Sequence, residues 1–131
     1  MPEAEVSLRL AFHLIEHRLT TTDVYVAIDG AQIRTTNTVH FAIAEFLREF
    51  QWQKSAMDEL WQGTYAHRDH RHKIVIHSNA GRGDVVAQLI DGHTLRVECK
   101  KGPLARSKSS QEYPLFREAL GQLLTIENVG E

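Results

Sequence analysis

The sequence predicts an α/β (α+β) fold, a mixed β-sheet flanked by helices in the order α-β-β-α-β-β-β-α. Three observations carry this prediction. Apolar residues recur at helical spacing in two early segments and one late one. Between them lie short runs rich in Val and Ile, of strand length. Asp-Gly pairs, at Asp29-Gly30 and Asp91-Gly92, punctuate those runs as hairpin turns do. A chain of 131 residues can build one domain with a real core but not two.

The elements follow in order. Residues 4 to 19 place Leu8, Ala11, Phe12, Ile15 and Leu19 on one helical stripe, which Thr20-Thr21-Thr22 ends. Val24 to Ile28 and Ala31 to Thr35 read as a hairpin around Asp29-Gly30. Asn37 or Thr38 can cap a second helix running to about Phe50, with Val39, Ala42, Ile43, Phe46, Leu47 and Phe50 inward. Met57, Leu60 and Trp61 suggest a short helical piece within residues 51 to 66. Lys73 to His77 is a strand, and a second hairpin, Asp84 to Ile90 and His93 to Lys100, turns on Asp91-Gly92. Lys101 to Ser110 is a basic loop. A last helix spans about Ser110 to Ile126, with Pro114 tolerated in its first turn. One domain, 1–131, thus divides into an N-terminal helix and hairpin extension (1–36) and an αβββα core (37–126).

Composition excludes several classes. With 42% apolar and 24% charged residues the chain is an ordinary globular one, and charges break every long apolar stretch, so no membrane span is expected. Glu3 and Glu5 stand where a signal peptide needs basic residues. The single cysteine, Cys99, allows no internal disulfide and suits a reducing cytoplasm. A net charge of -2 requires any nucleic-acid-binding charge to be local. It is local: Lys100, Lys101, Arg106, Lys108 and Arg117 face one acid, Glu112, and Arg68, Arg71, Lys73 and Arg82 face Asp69.

Those basic stretches bracket the most informative motif, Glu98-Cys99-Lys100 at a strand end, with Asp84 opening the strand before it. Alternation puts Glu98 and Lys100 on one face and turns Val97 and Cys99 to the core. Two carboxylates converging from adjacent strands make a hard-oxygen site suited to Mg²⁺, with Mn²⁺ as a substitute. A lysine one pleat away can orient the attacking water and stabilise charge on a phosphoryl transition state. An acid-x-Lys triplet alone is a weak signal in a chain with 17 acids. Its weight comes from the strand context, the preceding Asp84 and the basic loop that follows.

Asp84, Glu98-Cys99-Lys100 and the following Gly121-Gln122-Leu123-Leu124 resemble the PD-(D/E)XK nuclease superfamily, across roughly residues 38 to 126. The resemblance implies a restriction-endonuclease-like fold and a Mg²⁺-dependent DNA endonuclease. Asp84 and Glu98, with the motif position Cys99 between, form the implied metal set, and Lys100 is the catalytic lysine. Glu45 matches an acid that members contribute from the helix before the core strands, and Gln122 a polar residue of the last helix. Arg82, Lys101, Arg106, Lys108 and Arg117 are the expected DNA contacts. The chain ends five residues after the predicted last helix, without the strand the superfamily places there. A strand of the N-terminal hairpin or a second subunit would fill that edge. Together with the two strands of a duplex, this suggests a homodimer. The alternative is an inactive nuclease-fold module that binds nucleic acid or protein in a defence or repair complex.

Other polar clusters carry less. Of His67, His70 and His72 only the last two share a strand face, and no cysteines accompany them, so they suit phosphate contact better than zinc. Trp52 and Trp61 read as core residues, and His13 and His40 as helix surface or core.

The register of the second hairpin decides whether the site can form. A two-residue Asp91-Gly92 turn would pair Asp84 with Cys99 on the core side. A three-residue turn, Asp91-Gly92-His93, sets Ile90 opposite Thr94, Val86 opposite Glu98 and Asp84 opposite Lys100. Val86, Gln88 and Ile90 then share the face of Asp84, while Val85, Ala87 and Leu89 join Val97 and Cys99. The shifted register is therefore the expected one, with the two carboxylates about 4–6 Å apart.

Overall fold

The computed structural model describes residues 2–56, 60–78, 84–99 and 105–107. Its elements are α1 (Glu3–Glu16), β1 (Val24–Ala27), α2 (Gly30–Ile33), β2 (Arg34–Thr35), β3 (Thr38–Val39) and α3 (Ile43–Glu49), followed by six further strands. These are β4 (Gln53–Lys54), β5 (Gly63–Ala66), β6 (Ile74–His77), β7 (Val85–Gln88), β8 (Thr94–Cys99) and β9 (Ala105–Ser107). The fold class is the predicted one, a mixed sheet flanked by helices. Seven strands lie in the order β4-β5-β6-β1-β7-β8-β9, and β2 and β3 form a separate two-stranded ribbon. The β1–β6 pair is parallel and the other pairs are antiparallel.

α1 begins with Glu3 and Glu5 in its first turn, where the exposed helix amides favour negative charge. Arg9 Nε donates to Glu5 Oε2 at 2.9 Å, one turn away. The helix is buried on more than its predicted stripe: Ala4, Val6, Leu10 and Leu14 are enclosed as well as Leu8, Ala11, Phe12 and Ile15. A helix apolar on several sides must be covered on several sides. α1 lies over β1, β7 and β8, while its Phe12 ring stacks on Phe46 of α3 at 5.8 Å and on Trp52 at 5.6 Å. The sheet side of this core holds Val24, Val26, Ile74, Ile76, Tyr65, Val85, Ala87, Leu95 and Val97.

The structure departs from five expectations. The helix expected to start at Asn37 or Thr38 begins at Ile43, because Thr38–Val39 pair with β2 as β3, and Val39 is 61% exposed instead of inward. Asp29-Gly30 is not a hairpin turn: Asp29 caps α2, its Oδ1 accepting from the Ala31 amide at 2.9 Å. Asp before Gly serves a helix N-terminus as readily as a turn, so the local signal was degenerate. Residues 1–36 are not an extension, because β1 takes a central place in the sheet and α1 covers it. The stretch read as a helical piece contains β4 and β5, paired Gln53 with Ala66 and Lys54 with Tyr65. The stretch read as a basic loop after Lys100 contains β9, which pairs with β8 at one edge of the sheet. The predicted helix at 110–126 lies outside the described residues. Among the described residues no helix is long and apolar enough to cross a membrane.

At the end of α1 the rings of His13 and His17 stack at 4.1 Å. Burial first, and then the neighbouring His17 charge, lower the His13 pKa below its usual 6.5. The unfolded chain therefore binds this proton before the folded chain does, and acidification below pH 6.5 removes stability. Replacing His13 with Gln should flatten the fall of the thermal midpoint below that pH. An unchanged slope in a melting series would assign the acid sensitivity elsewhere.

Candidate metal centre

The β7–β8 hairpin is built by its turn. The Leu89 amide donates to the His93 carbonyl at 2.8 Å and the Gly92 amide to the Leu89 carbonyl at 3.0 Å, leaving Ile90-Asp91-Gly92 as a three-residue connection. Asp91 Oδ1 accepts from the His93 amide at 2.9 Å, and Gly92 adopts φ +94°. The pairs are Gln88 with Thr94, Ala87 with Leu95, Val86 with Arg96 and Val85 with Val97. The turn is thus three residues long, as expected, but begins one residue earlier. Val86 faces Arg96 instead of Glu98, and Val97 faces Val85.

A slip of two residues preserves every face, because side chains alternate with period two. Val85, Ala87, Leu89, Leu95 and Val97 are buried beneath α1 as predicted, while Gln88, Ile90, Arg96 and Glu98 are exposed. Val86 is half-buried on that outer face, where Tyr25, its β1 partner, is 47% exposed. No described element covers this face of the sheet.

Asp84 stands one step before the Val85–Val97 pair, at a bend. Its amide donates to the Val97 carbonyl and its carbonyl accepts from the Ala27 amide, both at 2.8 Å. The second bond continues the β1–β7 ladder, while the first turns the amide of half-buried Asp84 toward β8, a break in the regular alternation at the start of β7. Glu98, exposed on β8, follows the Val97 whose carbonyl Asp84 bonds. On either side, Ala27 pairs with His77 on β6, and Glu98 with the register position of Arg106 on β9. His77 was read from the sequence only as part of a basic stretch. Its place beside Ala27 depends on parallel pairing between distant segments, for which there is no local signal.

The expected site residues therefore divide. Asp84 precedes Val85 and Glu98 follows Val97, so the two stand next to the last β7–β8 pair without being paired in the register. Cys99 ends β8 opposite Ala105. Arg106 lies within β9, so one predicted DNA contact falls at a strand position beside Glu98 instead of in a loop. Glu45 is exposed on α3, which packs with α1 over the covered side, and the structure does not bring it to the open face. Lys100, Gln122, Arg82, Lys101, Lys108 and Arg117 lie outside the described residues. Among the described residues no three His, Cys, Asp or Glu side chains converge as a closed metal cage would require. Mg²⁺ asks less, since one or two carboxylates suffice when waters and substrate phosphate complete its shell.

No protein-family model matches the chain, and no curated protein or solved structure matches it either.

The register rests on the turn, and that can be tested. A Cβ at Gly92 meets nothing within 4 Å, so Gly92→Ala should lose only backbone energy, about 1–2 kcal/mol, for its φ of +94°. Denaturant titration should show a lower midpoint at unchanged slope. Wild-type stability would argue against the positive φ, and with it against this register.

Proposed function

We propose that the chain is a metal-dependent nuclease that hydrolyses DNA phosphodiester bonds at Asp84 and Glu98. One observation supports this reading: half-buried Asp84 and exposed Glu98 stand on adjacent strands, each next to the Val85–Val97 pair. Asp84 and Glu98 hold Mg²⁺, with Mn²⁺ as a substitute. The bound ion would polarise a phosphate oxygen and make a coordinated water more acidic. The half-buried setting of Asp84 supplies a partly dehydrated anchor, and exposed Glu98 reaches the incoming phosphate side. Lys100, two residues after Glu98 in the sequence, would stabilise the negative charge that develops on the phosphoryl oxygens and orient the attacking water. Arg106, with Lys101, Lys108, Arg82 and Arg117, holds the DNA backbone. A duplex offers two strands in pseudo-two-fold relation, which suits a homodimer.

Asp84→Asn and Glu98→Gln should each abolish Mg²⁺-dependent cleavage and calorimetric Mg²⁺ binding while leaving the thermal midpoint close to wild type. Lys100→Ala should lower kcat by about 100-fold or more and spare metal binding. Full activity in any of the three variants refutes the mechanism. Mg²⁺ binding without cleavage of single-stranded, duplex, nicked or branched DNA would mark an inactive module.

A further inference from the structure

The far edge of the sheet, at β4 and β5, carries a second constellation. α3 closes with the Gln51 amide donating to the Arg48 carbonyl and the Trp52 amide to the Leu47 carbonyl, both at 2.9 Å. The residue between, Gln51, adopts φ +67°. Glycine is the ordinary occupant of this left-handed capping position, because a Cβ there is strained. Here a glutamine takes it, and Gln51 lines a cavity of ≈380 Å³ with Arg48, Gln53, Ala66 and Arg68. Arg48 and Gln53 also line an adjoining cavity of ≈420 Å³, which includes Trp52, Lys54 and Tyr65.

The chemistry of the joined groove is one-sided. No described carboxylate lines either cavity. Among the described residues the guanidinium groups of Arg48 and Arg68 make no ion pair or hydrogen bond. Two unpaired guanidinium groups on one concavity repel each other, and an oxyanion between them would remove that repulsion. Gln51 and Gln53 add carboxamide donors alongside. Trp52, which lines the second cavity, is 0% exposed, and among the described residues its Nε1 has no hydrogen-bond partner. A buried N–H without an acceptor is uncommon in a folded core, and here it belongs to a lining residue.

We propose that this groove binds phosphate groups, through Arg48 and Arg68 with Gln51 and Gln53. Guanidinium matches phosphate in charge and in paired-donor geometry. The choice of a nucleic-acid strand as the phosphate source rests on the nuclease reading; the phosphate chemistry does not. The groove lies at the sheet edge opposite β9, so a strand held there would extend the footprint well beyond Asp84 and Glu98.

Binding of a short fluorescent thymidine oligonucleotide, measured in EDTA so that no cleavage intervenes, tests the proposal. The double variant Arg48→Ala, Arg68→Ala should bind at least about tenfold more weakly. Its plot of log affinity against log salt should flatten by about 1.4, the share of two single-strand phosphate contacts. Gln51→Gly should raise the thermal midpoint and yet weaken binding, a combination that a purely structural role would not produce. Inorganic phosphate and thymidine monophosphate serve as competitors. Competition by either as strong as by the unlabelled oligonucleotide assigns the groove to a small phosphate ligand and keeps its chemistry. Wild-type affinity and salt slope in the double variant, or no binding of any of the three probes to wild type, overturns the proposal. Asp84→Asn separates the two sites: it should lose cleavage and keep oligonucleotide binding. A wild type that binds but never cleaves would end the nuclease reading and leave the groove standing.

Discussion

The seating of α1 is the constraint on which the other layers depend. Its one side rests on β1, β7 and β8, and its other meets Phe46, Phe50 and the fully buried Trp52. A helix so enclosed forces its neighbours into place. α3 must turn its apolar side toward Phe12, and the chain must then reverse sharply so that Trp52 can follow. The left-handed residue Gln51 makes that reversal, and Arg9 lies over Phe46 and Phe50 at 5.4 and 5.3 Å, closing the aromatic layer from outside.

With one face of the sheet given to α1, alternation leaves the other face to the remaining side chains of each strand. That division gives the candidate site its position. Val85, Ala87, Leu95 and Val97 cannot leave the core without losing their burial, about 1.5–3 kcal/mol for each larger side chain. Val86, Arg96 and Glu98 are consequently held on the open face, and Asp84 follows at the bend beyond them. Glu98 owes its placement on the open face to the burial of Leu95 and Val97 on the other. The amide of small Ala27 bonds the Asp84 carbonyl, and Ala27 pairs with His77 beyond it.

Much of this was legible in residues 84 to 99. Val85, Ala87, Leu95 and Val97 alternate with polar partners, and Asp91-Gly92 marks the reversal, so faces and turn length follow from local chemistry. The starting residue of the turn was not legible, because both three-residue frames satisfy the same alternation. The bond from the Leu89 amide to the His93 carbonyl chose between them. That frame is reinforced from outside the hairpin, where the Ile90 amide donates to the Leu19 carbonyl and the Thr21 amide to the Gln88 carbonyl. Glu45 was misplaced for a related reason: helical periodicity identifies its wet side but not the face of the sheet its helix will cover.

By itself, then, the sequence determined the mixed α/β class, the helix at the N-terminus, the β7–β8 hairpin and the separation of Glu98 from the core. Each depends on side-chain period and turn chemistry within a dozen or so residues. Tertiary structure alone decided that β1 lies between β6 and β7, that Asp29 caps a helix, and that β4, β5 and β9 extend the sheet. It also decided that Arg48 and Arg68 meet around one groove. These outcomes depend on hydrogen bonds and burial shared between distant segments. Asp-Gly serves a turn or a cap equally well, and the short strands Gln53–Lys54 and Ala105–Ser107 show their identity only beside a partner.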